Sequence, residues 1–139
     1  MIKIVILGEV QSQLRPIFNS VTKRAVDPPK CKAYKDKVAD TAKKYHGSEP
    51  LDEPLRVEID VFMGVTASWS KKKKEQALSG VLMPTHKKDL DNLAKGIIDG
   101  CTGTVWKDDG CIVELEIKKR YDKVPRAEVR VYTIGEMGN

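Results

Sequence analysis

The sequence has few cysteines and no long apolar run. Its three cysteines, Cys31, Cys101 and Cys111, form no C-x-x-C pair, so neither a zinc site nor a disulfide framework follows and free buried thiols are expected. The longest apolar run, Ile4 to Leu7, is far shorter than the about 20 residues of a membrane span. The start of the chain does not have the pattern of a signal peptide. We therefore expect a cytoplasmic protein without a membrane segment.

Acidic residues are outnumbered, and no glycine-rich phosphate loop is present. The 139 residues include 25 lysines and arginines against 20 aspartates and glutamates, for a net charge of +5. Such a balance favours an anionic partner, and nucleic acid is the first candidate because there is no basic amphipathic helix of the membrane-surface type. Without a glycine-rich loop, no nucleotide cofactor is expected.

Hydrophobic periodicity predicts the elements of one domain. Strands are expected at 2–7, placed at or near the centre of a sheet, and at 55–65, where strict alternation leaves one face to water. Helical spacing predicts a helix over 31–46, with its lysines on the outer face, and another from Ser70 to Gly80. The stretch 9–30 has no period and reads as a long loop.

The last third of the sequence predicts two more strands. Alternation after Cys111 and again over 127–133, with a turn at 122–125, predicts an antiparallel hairpin. The expected fold class is α/β (α+β), a single domain over residues 1–139. Its mixed sheet has about four strands, ends in this C-terminal antiparallel hairpin, and carries packed helices.

Five aspartates are concentrated between His86 and Cys111 in this otherwise basic chain: Asp89, Asp91, Asp99, Asp108 and Asp109. Asp89 and Asp91 project to the same side only where the chain is extended, and helical spacing from Leu90 predicts a helix that begins at about Asp91 or Asn92. Lys95 follows Asp91 by one turn on the same face. Asp99 is expected to serve the end of that helix.

A purely structural interpretation of these acids stays open. Asp91 would cap the helix and pair with Lys95, Asp89 would be solvated, and Asp108-Asp109-Gly110 would be a β-turn. Alternatively, the two clusters converge at one sheet edge, where three carboxylates would repel one another unless a divalent cation neutralised them. Carboxylate oxygens suit Mg²⁺, with Mn²⁺ as a possible substitute.

These residues resemble the RusA family of Holliday junction resolvases. The resemblance rests on Asp89-Leu90-Asp91-Asn92-Leu93 with Lys95, followed by Asp99, Gly103, Trp106, Asp108-Asp109 and Ile112. The first strand with Gly8, the Arg15-Pro16 loop, Lys32-Ala33-Tyr34, the lysine segment after Trp69 and the ending Glu136-Met137-Gly138-Asn139 are also similar. Two pairs of residues depart from the family pattern. Gly110-Cys111 replaces the usual Ala-Gln, so no role of a glutamine is transferred, and Gly100-Cys101 stands where Ala-Leu is common, which bears on the end of the helix and not on the chemistry.

The resemblance implies a homodimeric, Mg²⁺-dependent endonuclease that makes paired symmetric nicks in four-way junction DNA. It implies that Asp89, Asp91 and Asp109 are catalytic metal ligands and that Lys95 is the essential lysine. Lys95 would hold the scissile phosphate or stabilise developing negative charge. Asp108 and Asn92 are candidates for supporting the ligands, and for Asp108 a turn residue is equally open.

Basic residues outside the acidic motif are candidates for phosphate contacts. Those expected to bind DNA are Arg15, Lys71, Lys72, Lys73, Lys74, Lys87 and Lys88. The four consecutive lysines surround a helix and give a general positive field, although simple solubility would explain them equally well. His86 is expected to be an exposed bystander. The rival to the enzyme is a catalytically idle protein that binds branched DNA.

Overall fold

Eleven elements follow one another in the computed structural model, which describes residues 1–14, 17–85 and 88–137. The strands are β1 (Ile2–Leu7), β2 (Ile17–Asn19), β3 (Arg24–Val26), β4 (Leu55–Gly64), β5 (Ile112–Asp122) and β6 (Arg126–Thr133). The helices are α1 (Pro29–Tyr45), α2 (Lys71–Ser79), α3 (Leu90–Cys101) and the short α4 (Ile134–Met137), and a 3₁₀ turn spans Asp109–Cys111. Among these residues no helix is long and apolar enough to cross a membrane.

A mixed sheet forms the centre of the fold. Across the described ranges its strand order is β1-β6-β4-β5, with β4 parallel to β5 and antiparallel to β6, and β6 antiparallel to β1. The fold is thus a single α+β domain with a mixed four-stranded sheet, as predicted. The additional hairpin of β2 and β3 lies within the stretch that was expected to be a structureless loop, so that expectation was wrong.

Two details of the predicted sheet are corrected by the strand order. Strand β1 was predicted at or near the centre of the sheet, but it lies at an edge, because in the described chain it pairs only with β6. Strands β5 and β6 run antiparallel, as expected, but β4 lies between them, so they are not a hairpin. Alternation reports that one face of a strand is buried, and it does not report which strand is the neighbour.

The core lies between one face of the sheet and the helices α1 and α3. Ile4, Ile6, Val57, Ile59 and Val129 are at most 1% exposed and face Val38, Leu93 and Ile97 of the helices. Helix α1 begins at Pro29, two residues before the predicted start, because proline at the first positions of a helix needs no hydrogen-bonded N–H. Helix α2 follows the prediction, with Ser70 accepting from the N–H of Lys73 and left-handed Gly80 ending it.

Glycine at position 100 allows α1 and α3 to approach closely. A Cβ atom added to Gly100 would lie 2.6 Å from Cβ of Val38 and 2.9 Å from the carbonyl oxygen of Lys35. Beside this contact Lys35 pairs with Asp27 at 2.7 Å and with Asp99 at 3.5 Å. Lys35 was predicted to lie on the outer, solvated face of α1, and this prediction was wrong. Its ion pair with Asp99 joins α3 to α1.

The opposite face of the sheet carries a ladder of ion pairs. Arg130 donates to Asp60 at 2.5 Å and to Glu58 at 3.0 Å, and Arg56 pairs with Glu58 and Glu116. The hydrogen bond from Arg130 is the main reason that the pKa of Glu58 lies below its ordinary value. The face predicted to be wet is therefore covered by paired charges, and Asp60 in its middle is only 9% exposed.

Candidate nuclease site at the start of helix α3

The motif Asp89-Leu90-Asp91 lies where α3 begins. The helix starts at Leu90, one residue before the predicted start, so Asp89 occupies the N-cap position with extended angles (φ −74°, ψ 144°). Asp91 lies in the first turn, and its carboxylate accepts the N–H of Asn92 at 3.0 Å. Asp89 is therefore extended and Asp91 is helical, so the chain is not extended through both acids. Both carboxylates are exposed at the positive end of a helix dipole, which stabilises negative charge there.

The purely structural interpretation, in which Asp91 caps the helix and pairs with Lys95, does not agree with the structure either. The side chain of Asp89 makes no capping hydrogen bond, and Asp91 lies inside the helix. Of the ion pairs formed within the described residues, none joins Asp91 to Lys95, and both of these side chains are exposed. Asp89 and Lys95 thus present an anion and a cation to solvent, available for a ligand.

Three contacts fix the start of α3 to the rest of the domain. Lys119 of β5 donates to the carbonyl oxygen of Lys88 at 2.7 Å, and Lys88 donates to the carbonyl oxygen of Val10 at 3.3 Å. The N–H of Gln13 donates to the carbonyl oxygen of Asn92 at 3.0 Å. The motif is therefore held between the N-terminal segment and the end of a strand. The ammonium of Lys88, predicted to contact DNA, has a protein partner here.

Lys119 and Gln13 were not among the predicted site residues. Gln13 is 7% exposed, and its Nε2 atom, 2.5 Å from where a Cβ of Gly96 would lie, is buried without a partner in the described chain. Lys119 occupies a core-side position of β5, in register with the buried Val61. A charged residue at an inward position of an alternating strand is the sequence signal that could have identified Lys119.

The second acidic cluster lies at the other end of α3. Trp106 is fully buried, and its Nε1 donates at 3.0 Å to Oγ1 of Thr102, which follows the last turn of the helix. Asp108 then occupies the N-cap position of the 3₁₀ turn, whose Cys111 N–H donates to the carbonyl oxygen of Asp108 at 3.0 Å. The local structure is a turn that leads into β5, as the structural alternative predicted.

The two acidic clusters lie at opposite ends of α3 in the described chain. The helix between them has 12 residues and is about 18 Å long. Asp109 precedes the first residue of β5, whereas Asp89 lies near Lys119, and the strand rises about 23 Å from Ile112 to Lys119. In keeping with this separation, no three Asp, Glu, His or Cys side chains of the described residues form a group that could hold a metal ion. The assignment of Asp109 to the same site as Asp89 stays a prediction.

Asp89 and Asp91 alone still suit a hard cation. Mg²⁺ is commonly bound through one or two carboxylates and takes its other ligands from water and substrate phosphate. The exposed pair supplies only oxygen donors, and the side chain of Asp89 makes no capping hydrogen bond, so these residues fit Mg²⁺ or Mn²⁺. Asn92 follows directly and is half-buried, with its N–H bound to Asp91.

Further cations lie beside the end of β5. Lys73 of α2 lies 4.2 Å from the ring centroid of Trp69, which contacts Tyr121 of β5 edge to face at 5.3 Å. Lys71, Lys72 and Lys73 are exposed and Lys74 is half-buried. Helix α2 therefore places its lysines at the same end of β5 as Asp89. Arg15, His86 and Lys87 lie outside the described residues.

Comparison with known proteins assigns this arrangement to a family. The family model described as "Endodeoxyribonuclease RusA" matches residues 8–132. A Bacillus subtilis (strain 168) protein with the printed name "Uncharacterized protein YqaN" is 37% identical over 135 residues, covering 94% of each chain. The matched range includes both acidic clusters, Lys95 and the lysines of α2.

Proposed function

The chain belongs to the RusA family of endodeoxyribonucleases, and from this we propose that it is a magnesium-dependent, structure-selective endonuclease. Its substrate would be the four-way (Holliday) junction, resolved by paired symmetric nicks during recombination and repair in the cytoplasm. The observation that carries the proposal is the exposed Asp89-Leu90-Asp91 motif with Lys95 at the start of α3. Its carboxylates and ammonium make no ion pair with one another in the described part of the chain.

The proposed chemistry is the attack of water on a phosphodiester. When bound, Mg²⁺ supplies an activated water and offsets negative charge on the phosphate. Asp89 and Asp91 would hold the Mg²⁺ ion at the helix start. The backbone N–H groups of that start would favour the phosphate of the DNA, which is an anion. Lys95, one turn along α3, would act as a positive point charge on the scissile phosphate or on the charge that develops there. Asn92 would support the ligands from its position next to Asp91.

The lysines around this motif would bind the DNA backbone without reading sequence. Lys71 to Lys74 lie on α2, and Lys118, Lys119 and Arg120 lie at the nearby end of β5. Contacts to phosphates contribute affinity that falls with salt and carry no base specificity. The predicted DNA-binding set still includes Arg15, Lys87 and Lys88. To contact a phosphate, the ammonium of Lys88 would have to share or give up its hydrogen bond to the carbonyl oxygen of Val10.

A homodimer is part of the proposal. A four-way junction has approximate two-fold symmetry, so cutting two opposed strands requires two sites related by that symmetry. The separation of Asp109 from Asp89 supports a dimer as well, because a second copy is a route by which an Asp109 could reach the site. Strand β5 pairs only with β4 among the described strands, and its Val113 and Leu115 are 60% and 45% exposed. This apolar edge offers a surface for such a copy.

The experiment that tests the function is a nicking assay on a synthetic four-way junction. We expect paired nicks with Mg²⁺, no nicks with a chelator, and no cleavage of a linear duplex of the same sequence. Absence of nicks with both Mg²⁺ and Mn²⁺, together with tight binding of the junction, would favour the rival function, a non-catalytic protein that binds branched DNA. A monomer that cuts both strands in one binding event would contradict the dimer.

A further inference from the structure

A cavity of about 300 Å³ opens between α2, the segment after it and the end of β5. Its walls include Trp69, Lys73, Met83, Thr85 and Tyr121, together with Met63 near the end of β4. None of these residues belongs to the acidic motif or to its supporting contacts. The nuclease chemistry proposed above therefore leaves the cavity without a role.

The two aromatic rings of the cavity cover each other only in part, because the edge of one ring lies against a face of the other. Trp69 and Tyr121 meet edge to face, with an angle of 82° between the ring planes. Both side chains are only half-buried. Two aromatic residues and two methionines therefore line the space, and such surfaces bind flat, polarisable groups well.

Positive charge borders the same cavity. The ammonium of Lys73 lies 4.2 Å from the centroid of the Trp69 ring, and Lys73 itself lines the wall. A neighbouring groove shares Met83 and Thr85 with the cavity and continues along Lys118, Lys119 and Arg120 to Leu90. A flat group bound in the cavity would thus be followed by a cationic path that ends beside Asp89.

A flat aromatic group attached to a phosphate chain describes a nucleotide. We propose that this cavity binds one unstacked nucleobase of branched DNA and so helps to select junctions over duplex, an inference that rests on the nuclease function proposed above. Its volume lies at the lower end of the about 300–1,000 Å³ of small-ligand pockets, which suits one base and not a base pair. Bases stack on aromatic side chains whatever their identity, and extrusion costs least where a base is already unpaired. The bases at the branch point of an open four-way junction are paired but stack on one side only, so extruding one of them costs less stacking than extruding a base from a continuous duplex.

The test uses the full-length protein with chelator, so that binding is measured without cleavage. A four-way junction carries 2-aminopurine at the branch point, and a linear duplex carries it at the matching sequence position. We expect titration with protein to change the 2-aminopurine fluorescence in the junction and to leave it unchanged in the duplex. Of the two tryptophans in the chain, Trp106 is fully buried, so quenching of protein fluorescence by the junction would report on Trp69.

Substitutions then assign the signal to the cavity. Trp69→Ala and Tyr121→Ala should each weaken binding of the junction about tenfold and leave duplex binding nearly unchanged, in line with the loss of one base stack. Trp69→Phe should restore most of the affinity, because it keeps an aromatic face. Tyr45→Ala is the matched control, since Tyr45 is an exposed aromatic residue at the end of α1 and does not line the cavity.

The lysine pair Lys73 and Lys71 provides a second comparison. Lys71→Met and Lys73→Met should lower the affinity for duplex DNA by similar factors, because each variant loses one phosphate contact. Only Lys73→Met, within the cavity wall, should also reduce the ratio of junction to duplex affinity. Thermal unfolding of each variant checks that the domain remains folded.

The outcomes separate this proposal from the nuclease function. If Trp69→Ala and Tyr121→Ala keep the junction preference of the unmodified protein, or if the 2-aminopurine signal is absent or persists in Trp69→Ala, the cavity does not bind a base. That result would leave nicking of junctions by the unmodified protein intact. Conversely, a signal that depends on Trp69 in a protein that nicks no DNA would support the base site and contradict the nuclease.

Discussion

The ammonium of Lys119 donates a hydrogen bond of 2.7 Å to the carbonyl oxygen of Lys88, one residue before Asp89. This bond joins the end of β5 to the start of α3. It therefore fixes the acidic motif relative to the sheet and to the cations of the neighbouring groove. The two lysines lie 31 positions apart in sequence, and only folding brings them together.

The first prediction concerns this bond. Lys119→Met keeps much of the apolar stem and removes the donor, so the carbonyl oxygen of the half-buried Lys88 loses this partner. We expect a loss of about 1–2 kcal/mol in the free energy of unfolding and a lower rate of junction nicking. Lys118→Met is the matched control for stability, because Lys118 is exposed and its salt bridge in the described chain is with Glu116. Chemical denaturation would contradict the prediction if the two variants were equally stable.

The second prediction concerns the acids at the helix start. Asp89→Asn or Asp91→Asn should lower nicking at least about 100-fold, since loss of groups that merely support metal ligands already costs about 10–100-fold. Junction binding should survive or tighten, because a negative charge next to the phosphates is removed. Asp99→Asn on the same helix is the control and should affect stability through Lys35 rather than the nicking rate. Persistent cleavage by Asp91→Asn would refute the proposed site.

The third prediction tests whether two copies share a site. Asp89→Asn and Asp109→Asn should each abolish nicking by homodimers. If one copy supplies Asp89 and the other Asp109, mixed dimers of the two variants contain one complete site and should recover a single nick per junction. A gel that separates singly from doubly nicked junctions measures this recovery after the variants are mixed and reassembled. No recovery in verified mixed dimers would place both acids in one chain's site.

The fourth prediction concerns the contact between α1 and α3. Gly100→Ala places a Cβ 2.6 Å from Cβ of Val38 and should destabilise the domain by about 1–3 kcal/mol, because both helices are tightly packed there. Combination with Val38→Ala should recover part of the loss, so the double variant should be more stable than the sum of the single changes predicts. Additive effects in thermal or chemical unfolding would show that the two positions do not compete for the same space.

The fifth prediction is a pH dependence on the charged face of the sheet. Hydrogen bonding from Arg130 lowers the pKa of Glu58 in the folded protein. The resulting stability is fully present above the pKa of an unfolded glutamate, about 4.3, and is lost as the pH falls through the lower folded pKa. Glu58→Gln should therefore unfold more easily at pH 7 and show a weaker loss of stability on acidification. Parallel slopes from denaturation at pH 7 to 3 would contradict this account.

Much of the local structure could be predicted from the sequence. Alternation identified the four strands of the mixed sheet, Ser70 and Gly80 bounded α2, and the spacing of Asp89, Asp91 and Lys95 led to the family that residues 8–132 match. These features depend on neighbours within about one or two helical turns, where capping and side-chain periodicity act. The start of α3 was missed by one residue, because Asp91 or Asn92 was expected to be the N-cap and Asp89 occupies that position.

Only the tertiary structure decided which distant residues meet. It placed β4 between β5 and β6, set Lys119 against Lys88, and enclosed a cavity between Trp69 and Tyr121. It also separated Asp109 from Asp89 by the length of α3, although both acids belong to one sequence motif. The cause is physical. The order of strands and the direction of a helix follow from the packing of the whole core, which depends on all elements together and not on any single stretch of sequence.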